Sequence, residues 1–285
     1  MNSRDSFVTR PDGLKLCARK WGSDECRLVL VHGFGLGSYV WNHVAPQLTE
    51  HGGVLAFDLR GHGDSDPDPA GQYSVASHAV DLLCVMQHFD LRDVVLVGHS
   101  LGALVVTEAG VLEAARVRAL VLVDGGPDLN EDAISHILKM FDSQRWTYRE
   151  IGDYLADLEK TYPIAHPSLL ARLAPHALRP APDGSFDLKC DIRLKETHRA
   201  HDDSRSWAAL RALVQPLLVL RGAASAVLPK STAQRMQNEL PLCTLRTIPE
   251  AGHAVMLDNP ADFVAHVRHF VLHLQGSPAR GPILT

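Results

Sequence analysis

Short runs of aliphatic and β-branched residues alternate along this chain with stretches whose apolar positions recur every three or four residues. The runs fall at 28–31, 54–58, 94–97, 119–124, 217–221 and 244–248, and the helical stretches at 39–48, 75–89, 101–114 and 232–240. Strands that are apolar on both faces, separated by helices, predict right-handed βαβ units around a mostly parallel central sheet flanked by helices. Ahead of them, Leu14, Leu16 and Ala18 share one face beyond Asp12-Gly13, which predicts a hairpin. One interval breaks the rhythm. Residues 125–215 hold no clear strand but several amphipathic stretches, interrupted at Pro163, Pro167, Pro180, Pro182 and Gly184. They are expected to form an inserted helical lid over the carboxyl edge of the sheet, where α/β folds bind ligands. The core then comprises 1–124 and 216–275, and 276–285 is expected to be a frayed tail.

Composition narrows the class. At 285 residues, 46% hydrophobic and 21% charged, the chain can bury one large core. A formal charge of −5 and a pI near 6.3 argue against nucleic acid or an anionic membrane as partner. Cys17, Cys26, Cys84, Cys190 and Cys243 are odd in number and never spaced as Cys-x-x-Cys, so reduced thiols in a cytoplasmic protein are expected. The first residues lack a signal-peptide apolar stretch, and no run approaches membrane-spanning length. The expected partner is a small-molecule substrate, with no cofactor and no metal; a homodimer is left open.

The chemistry centres on Gly98-His99-Ser100-Leu101-Gly102, placed where a buried strand gives way to a helix. Such a turn presents one serine hydroxyl at the edge of the sheet, with a helix N-terminus behind it. A serine nucleophile needs a base, an acid behind that base and donors for the oxyanion. His253, in Pro249-Glu250-Ala251-Gly252-His253 after the last strand, is the candidate base. The backbone N–H groups of Leu101 and of Phe34, the latter in His32-Gly33-Phe34-Gly35, are the candidate oxyanion donors. His32 is expected to brace that turn.

These landmarks, with Asp58-Leu59-Arg60-Gly61-His62-Gly63-Asp64-Ser65, resemble the α/β-hydrolase superfamily with a helical cap, over nearly the whole chain from Phe7 to Leu274. The resemblance implies that fold, a Ser–His–acid triad and hydrolytic acyl chemistry; it does not select a substrate. The acid departs from the common pattern. Most members of the superfamily carry Asp three residues past the glycine that ends the strand matching 217–221, and here that place holds Ser225, with no carboxylate between Arg221 and Pro229. Asp124, ending the strand beside the nucleophile strand, is the alternative. A minority of the superfamily places its acid there, including a branch that hydrolyses an acetamidomethylene-succinate, which the Val123-Asp124-x-x-Pro127 and Arg221-Gly222-x-x-Ser225 segments resemble. Loss of the Ser225 hydroxyl is accordingly expected to cost little.

The expectation is a serine hydrolase of a small carboxylic ester, amide or lactone, with Ser100, His253 and Asp124 as catalytic residues. Two rival readings remain: a cofactor-independent dioxygenase of the same fold, and a ligand receptor or regulator with weak hydrolysis. Other signals are discounted. His266, His269 and His273 lie opposite the apolar stripe Phe263, Val267, Phe270, Val271 and Leu274, so a solvated face is expected. Asp64, Asp66 and Asp68 alternate like calcium ligands, but Pro67 and Pro69 spoil the loop.

Overall fold

The computed structural model describes residues 3–195 and 203–275; the expected tail at 276–285 lies outside the described residues. Strands β1 (Arg4–Thr9) and β2 (Lys15–Trp21) pair antiparallel. The turn between them closes with Gly13 at φ +90°. The chain then forms β3 (Cys26–Val31), β4 (Gly53–Phe57), β5 (Val94–His99) and β6 (Val117–Val123). Three strands of two or three residues follow, β7 (Thr147–Tyr148), β8 (Leu178–Pro180) and β9 (Phe186–Leu188). The last two are β10 (Leu217–Gly222) and β11 (Cys243–Ile248). Eight strands form one sheet in the order β1-β2-β4-β3-β5-β6-β10-β11. It is parallel from β4 to β11 and antiparallel only at the β1–β2 edge and where β2 meets β4.

Side-chain alternation along the strands builds two cores, one on each face. Val95 and Val97 of β5 point to one side with Leu28, Leu30, Val121, Val123, Leu218 and Leu220. Val94 and Leu96 point to the other with Val29, Val31, Leu120, Leu122, Leu217 and Val219. The second face is covered by α1 (Val75–His88) and α2 (Leu101–Leu112), through Ala79, Leu82, Val85, Met86, Ala103, Val106 and Ala109. The first face is covered by Trp41 and by the C-terminal helix Pro260–Gln275, whose Phe263, Val264, Val267 and Val271 face inward. On that helix His269 and His273 are exposed.

Two expectations need correction. The stretch 39–48 is not one α-helix but two 3-10 segments, Ser38–Trp41 and Ala45–His51. Pro46 explains the break, since it lacks an N–H and its ring clashes with the carbonyl four residues earlier. The interval 125–215 does carry strands: β7, β9 and β8 form a small antiparallel sheet beside α3 (Glu131–Ser143), α4 (Ile151–Thr161) and α5 (Pro167–Leu173). Asp183-Gly184 is a hairpin turn there, with Ala181 N–H donating to the Ser185 carbonyl at 2.8 Å and Gly184 at φ +84°. The last helix of the interval, α6 (Asp203–Ala212), places Trp207 and Leu210 in the core beside α2.

His32, His62, His78 and His99 are all buried. Burial pushes the His32 ring down to about 4 and the His62 ring to about 3, and holds His78 and His99 well below the ordinary range. In the unfolded chain these rings return to a pKa near ~6.5. Below that pH the unfolded state therefore binds protons that the folded state refuses. Their contribution is complete above pH ~6.5 and is lost as pH falls towards the folded values. Stability is expected to drop on acidification from neutral pH, by up to about 1.4 kcal/mol per pH unit for each ring. The urea midpoint measured at pH 7, 6 and 5 checks this, with His78→Phe expected to flatten the slope. A midpoint independent of pH over this range contradicts it.

Candidate active site

Ser100 occupies the single residue between β5 and α2, with φ 53° and ψ −116°. A non-glycine residue in that region is strained, and packing must hold it there. The neighbouring glycines explain how. A Cβ on Gly98 would lie 2.2 Å from the Gly102 carbonyl oxygen, and one on Gly102 would lie 2.3 Å from that of Val31. Strand, turn and helix therefore touch backbone to backbone. Ser100 N–H donates to the Val123 carbonyl at 3.0 Å, which ties the elbow to β6.

His253 Nε2 lies 3.0 Å from Ser100 Oγ, and its Nδ1 lies 2.7 Å from Asp124 Oδ2. Asp124 follows β6 directly, at φ 47°, and its side chain has no exposed surface. Asp124 Oδ1 accepts from the Gly222 N–H at 3.1 Å. The loop carrying His253 is anchored from several sides. Gly252 N–H donates to Asp258 Oδ2 at 2.8 Å, and Ala224 N–H donates to the Ala251 carbonyl at 2.9 Å. His99 Nε2 is 2.9 Å from the His253 carbonyl, so this nitrogen carries the proton and donates. Burial and the neighbouring His253 keep the His99 ring neutral. Asp258 is pushed up by burial, against the pull of the Gly252 amide.

Ser225 is where the structure adds most to the reading of the sequence. Its hydroxyl donates to Asp124 Oδ2 at 2.5 Å, the oxygen that also meets His253. The same Oγ accepts from Val227 N–H at 3.1 Å. Ser225, at the position where most of the superfamily carries Asp, thus binds the Asp124 carboxylate directly. Arg221 holds the loop in position, donating to the carbonyls of Leu228 (2.8 Å), Gly222 (2.8 Å) and Ser225 (2.9 Å). The Arg221-Gly222-x-x-Ser225 segment is visible in the sequence, but its hydrogen bond to Asp124 closes across 101 positions and has no local signature.

Of the candidate oxyanion donors, Leu101 follows Ser100 directly, and the turn carrying Phe34 comes close to it, since a Cβ on Gly33 would lie 3.1 Å from Ser100 Cβ. Leu101 opens α2, and the first N–H groups of a helix have no partner within it. Phe34 sits in the turn after β3, where its ring packs 4.7 Å from that of Phe141 in α3. His32 braces this turn: Nε2 accepts from Leu59 N–H at 3.0 Å, and Nδ1 donates to the Gly33 carbonyl at 2.8 Å. Asp58 organises the adjoining loop by accepting from the N–H groups of Ser38 (2.5 Å) and Asp64 (2.9 Å). Asp64 also pairs with Arg19 and Lys189, and Asp68 with Arg60. Of the cations in the inserted interval, Arg145 is paired with Asp157 and Arg193 with Asp191.

Residues 28–267 match the model of the alpha/beta hydrolase family, and the chain belongs to that family. It is a hydrolase by class. Two curated relatives align over nearly its full length. An esterase of Mycobacterium tuberculosis is 27% identical over 271 residues, 92% of this chain and 88% of the relative. The 2-(acetamidomethylene)succinate hydrolase of Mesorhizobium japonicum is 24% identical over 270 residues, 94% of this chain and 96% of the relative. A crystal structure of E-2-(acetamidomethylene)succinate hydrolase superposes with a TM-score of 0.88 at 24% identity, covering 95% of this chain and 99% of that one. At that identity the superposition shows the fold. No helix among the described residues is long and apolar enough to cross a membrane.

The close approach of the elbow generates a test. Gly98→Ala is expected to destabilise the fold by about 3 kcal/mol or more, the upper end of overpacking costs, because the added methyl meets backbone. Gly152→Ala, where a Cβ meets nothing within 4 Å, is expected to be neutral or stabilising. Thermal or urea unfolding of the two variants checks the contrast; equal midpoints contradict it.

Proposed function

We propose that the protein is a serine hydrolase that cleaves a small-molecule carboxylic ester, amide or lactone through an acyl-enzyme intermediate on Ser100. The observation that carries the reading is the unbroken hydrogen-bonded line Ser100 Oγ–His253–Asp124, at 3.0 and 2.7 Å. His253 Nε2 takes the proton as Ser100 Oγ attacks the carbonyl carbon. Asp124 fixes the ring with its proton on Nδ1 and balances the imidazolium as it forms. The N–H groups of Leu101 and Phe34 receive the developing oxyanion. His253 then returns its proton to the leaving oxygen or nitrogen. Water, deprotonated by the same ring, releases the acid product and restores Ser100.

Ser225 enters this reading as the donor that shares Asp124 Oδ2 with His253. Residues 125–215, with Phe141 against Phe34, are proposed as the lid that sets the substrate range. The curated relatives that are named as an esterase, a methyl ester esterase and an acetamidomethylene-succinate hydrolase support ester and amide bonds alike. All five cysteines are free thiols, which suits a cytoplasmic location.

Steady-state hydrolysis of a short-chain nitrophenyl ester tests the assignment. Ser100→Ala is expected to lose at least about 10³ in kcat with an unchanged melting temperature, leaving only binding and oxyanion contributions. Asp124→Asn is expected to lose on the order of 10⁴, because the amide supports the wrong imidazole tautomer. Ser225→Ala is expected to lose about tenfold, the equivalent of one charge-assisted hydrogen bond of about 1.4 kcal/mol. Substantial turnover by Ser100→Ala contradicts the covalent route and favours the dioxygenase alternative.

A further inference from the structure

We propose that His62 is a positioning residue of the oxyanion turn: by accepting the Gly35 N–H on Nε2 it fixes the peptide that follows Phe34, while His32 holds the one that carries the Phe34 N–H. The inference rests on the serine hydrolase reading above. Its observations are local and independent of the triad.

The turn 33–36 is gripped at both ends by buried imidazoles. On one side, the Gly33 carbonyl accepts from His32 Nδ1 at 2.8 Å and from Leu36 N–H at 3.3 Å. On the other, Gly35 N–H donates to His62 Nε2 at 3.2 Å. The Phe34 N–H shares one rigid peptide plane with the Gly33 carbonyl, and the Phe34 carbonyl shares the next with the Gly35 N–H, so the two anchors hold the planes on either side of the Phe34 Cα. Rotation of the first plane breaks the His32 bond and rotation of the second breaks the His62 bond, so together they fix the backbone of Phe34.

His62 is itself held in one state. Its Nδ1 lies 3.0 Å from the Arg60 carbonyl, an acceptor, so the proton is on Nδ1 and Nε2 keeps its lone pair for Gly35. The ring has no exposed surface and packs against His32 with centroids 5.0 Å apart, and against Phe34 at 6.5 Å. Burial and the adjoining His32 both disfavour its protonated form. A protonated ring would present N–H to N–H at Gly35.

The backbone around His62 explains why the ring reaches inward. Gly61 and Gly63 both have positive φ, at 74° and 56°, and a Cβ on Gly63 would lie 2.3 Å from the Asp58 carboxyl. Only glycine suits such a turn with a carboxylate folded into it. From the other side, the inserted segment clamps the loop: Gly63 N–H donates to the Lys189 carbonyl and Asp191 N–H to the Gly61 carbonyl, both at 2.8 Å. His62 and Cys190 form the bridge between those bonds. The ring that aims the oxyanion turn is thus carried on a loop whose position the inserted segment shares in setting.

The test compares His62→Phe, which keeps a ring but offers no acceptor, with His62→Gln, whose side-chain carbonyl can still accept from Gly35. His62→Phe is expected to lose about 10² in kcat, the loss of one oxyanion donor, with KM within about threefold. Its affinity for an alkylboronic acid, which forms a tetrahedral adduct on Ser100, is expected to fall by the same factor. His62→Gln is expected to stay within about tenfold of wild type in both. A residue that merely stabilises the fold would lower the melting temperature without this split. In wild-type protein, the ¹⁵N spectrum of histidine is expected to show His62 neutral with its proton on Nδ1 at pH 7, a reading that requires no variant to fold. An active His62→Phe enzyme with wild-type kcat and boronate affinity overturns the inference alone, as does a His62 ring protonated on Nε2. A wild-type protein that neither hydrolyses ester nor binds the boronate overturns the serine hydrolase reading, and this inference with it.

Discussion

A carboxylate with no exposed surface must be compensated where it sits, and Asp124 is compensated by three groups from two segments of chain. Gly222 N–H comes from the end of β10, the Ser225 hydroxyl from the loop beyond it, and the His253 ring from the loop after β11. Leaving any of these partners unmade would strand a buried charge or a buried donor, which costs more than an ordinary hydrogen bond gains. The ends of β6, β10 and β11 are therefore locked in one arrangement. That arrangement delivers His253 Nε2 to Ser100 Oγ. The network that satisfies the Asp124 carboxylate is the one that aims the His253 ring.

Backbone contact does for Ser100 what hydrogen bonds do for Asp124. Gly98, Gly102 and Gly125 all lie where a Cβ would meet backbone within 3 Å, around the strained Ser100. Gly222 plays the same part beside Gly252, whose carbonyl would lie 1.9 Å from an added Cβ. Such contacts leave no room for the elbow to relax, so the strain at Ser100 is stored by its surroundings and not by Ser100 itself. Imidazoles complete the frame. His32 and His99 each brace a turn beside the site through one donated hydrogen bond, and both are kept neutral by burial.

The parallel sheet was legible because its strands are buried on both faces and so read as unbroken apolar runs. Ser100 and His253 were legible because the tight turns that carry them demand glycine at fixed offsets. Asp124 stands out because the usual acid position holds Ser225, but the hydroxyl that Ser225 donates to it across 101 positions has no local signature. The same holds for His62 and Gly35, 27 positions apart. Pro46 breaks the helix expected at 39–48, and Asp183-Gly184 is the hairpin turn between β8 and β9 and not an interruption between helices. Strands of two or three residues are too short to show an alternating pattern, so the small sheet in 125–215 stayed hidden behind its helices.

The central claim is that Ser100 is a nucleophile activated by the line of hydrogen bonds behind it. Peptide mapping by mass spectrometry after brief exposure to a fluorophosphonate tests this most directly. The account predicts one phosphonyl group per chain, carried on Ser100, with the modification abolished by prior denaturation. Unmodified Ser100 in folded protein, or a label spread over several hydroxyls, would contradict it.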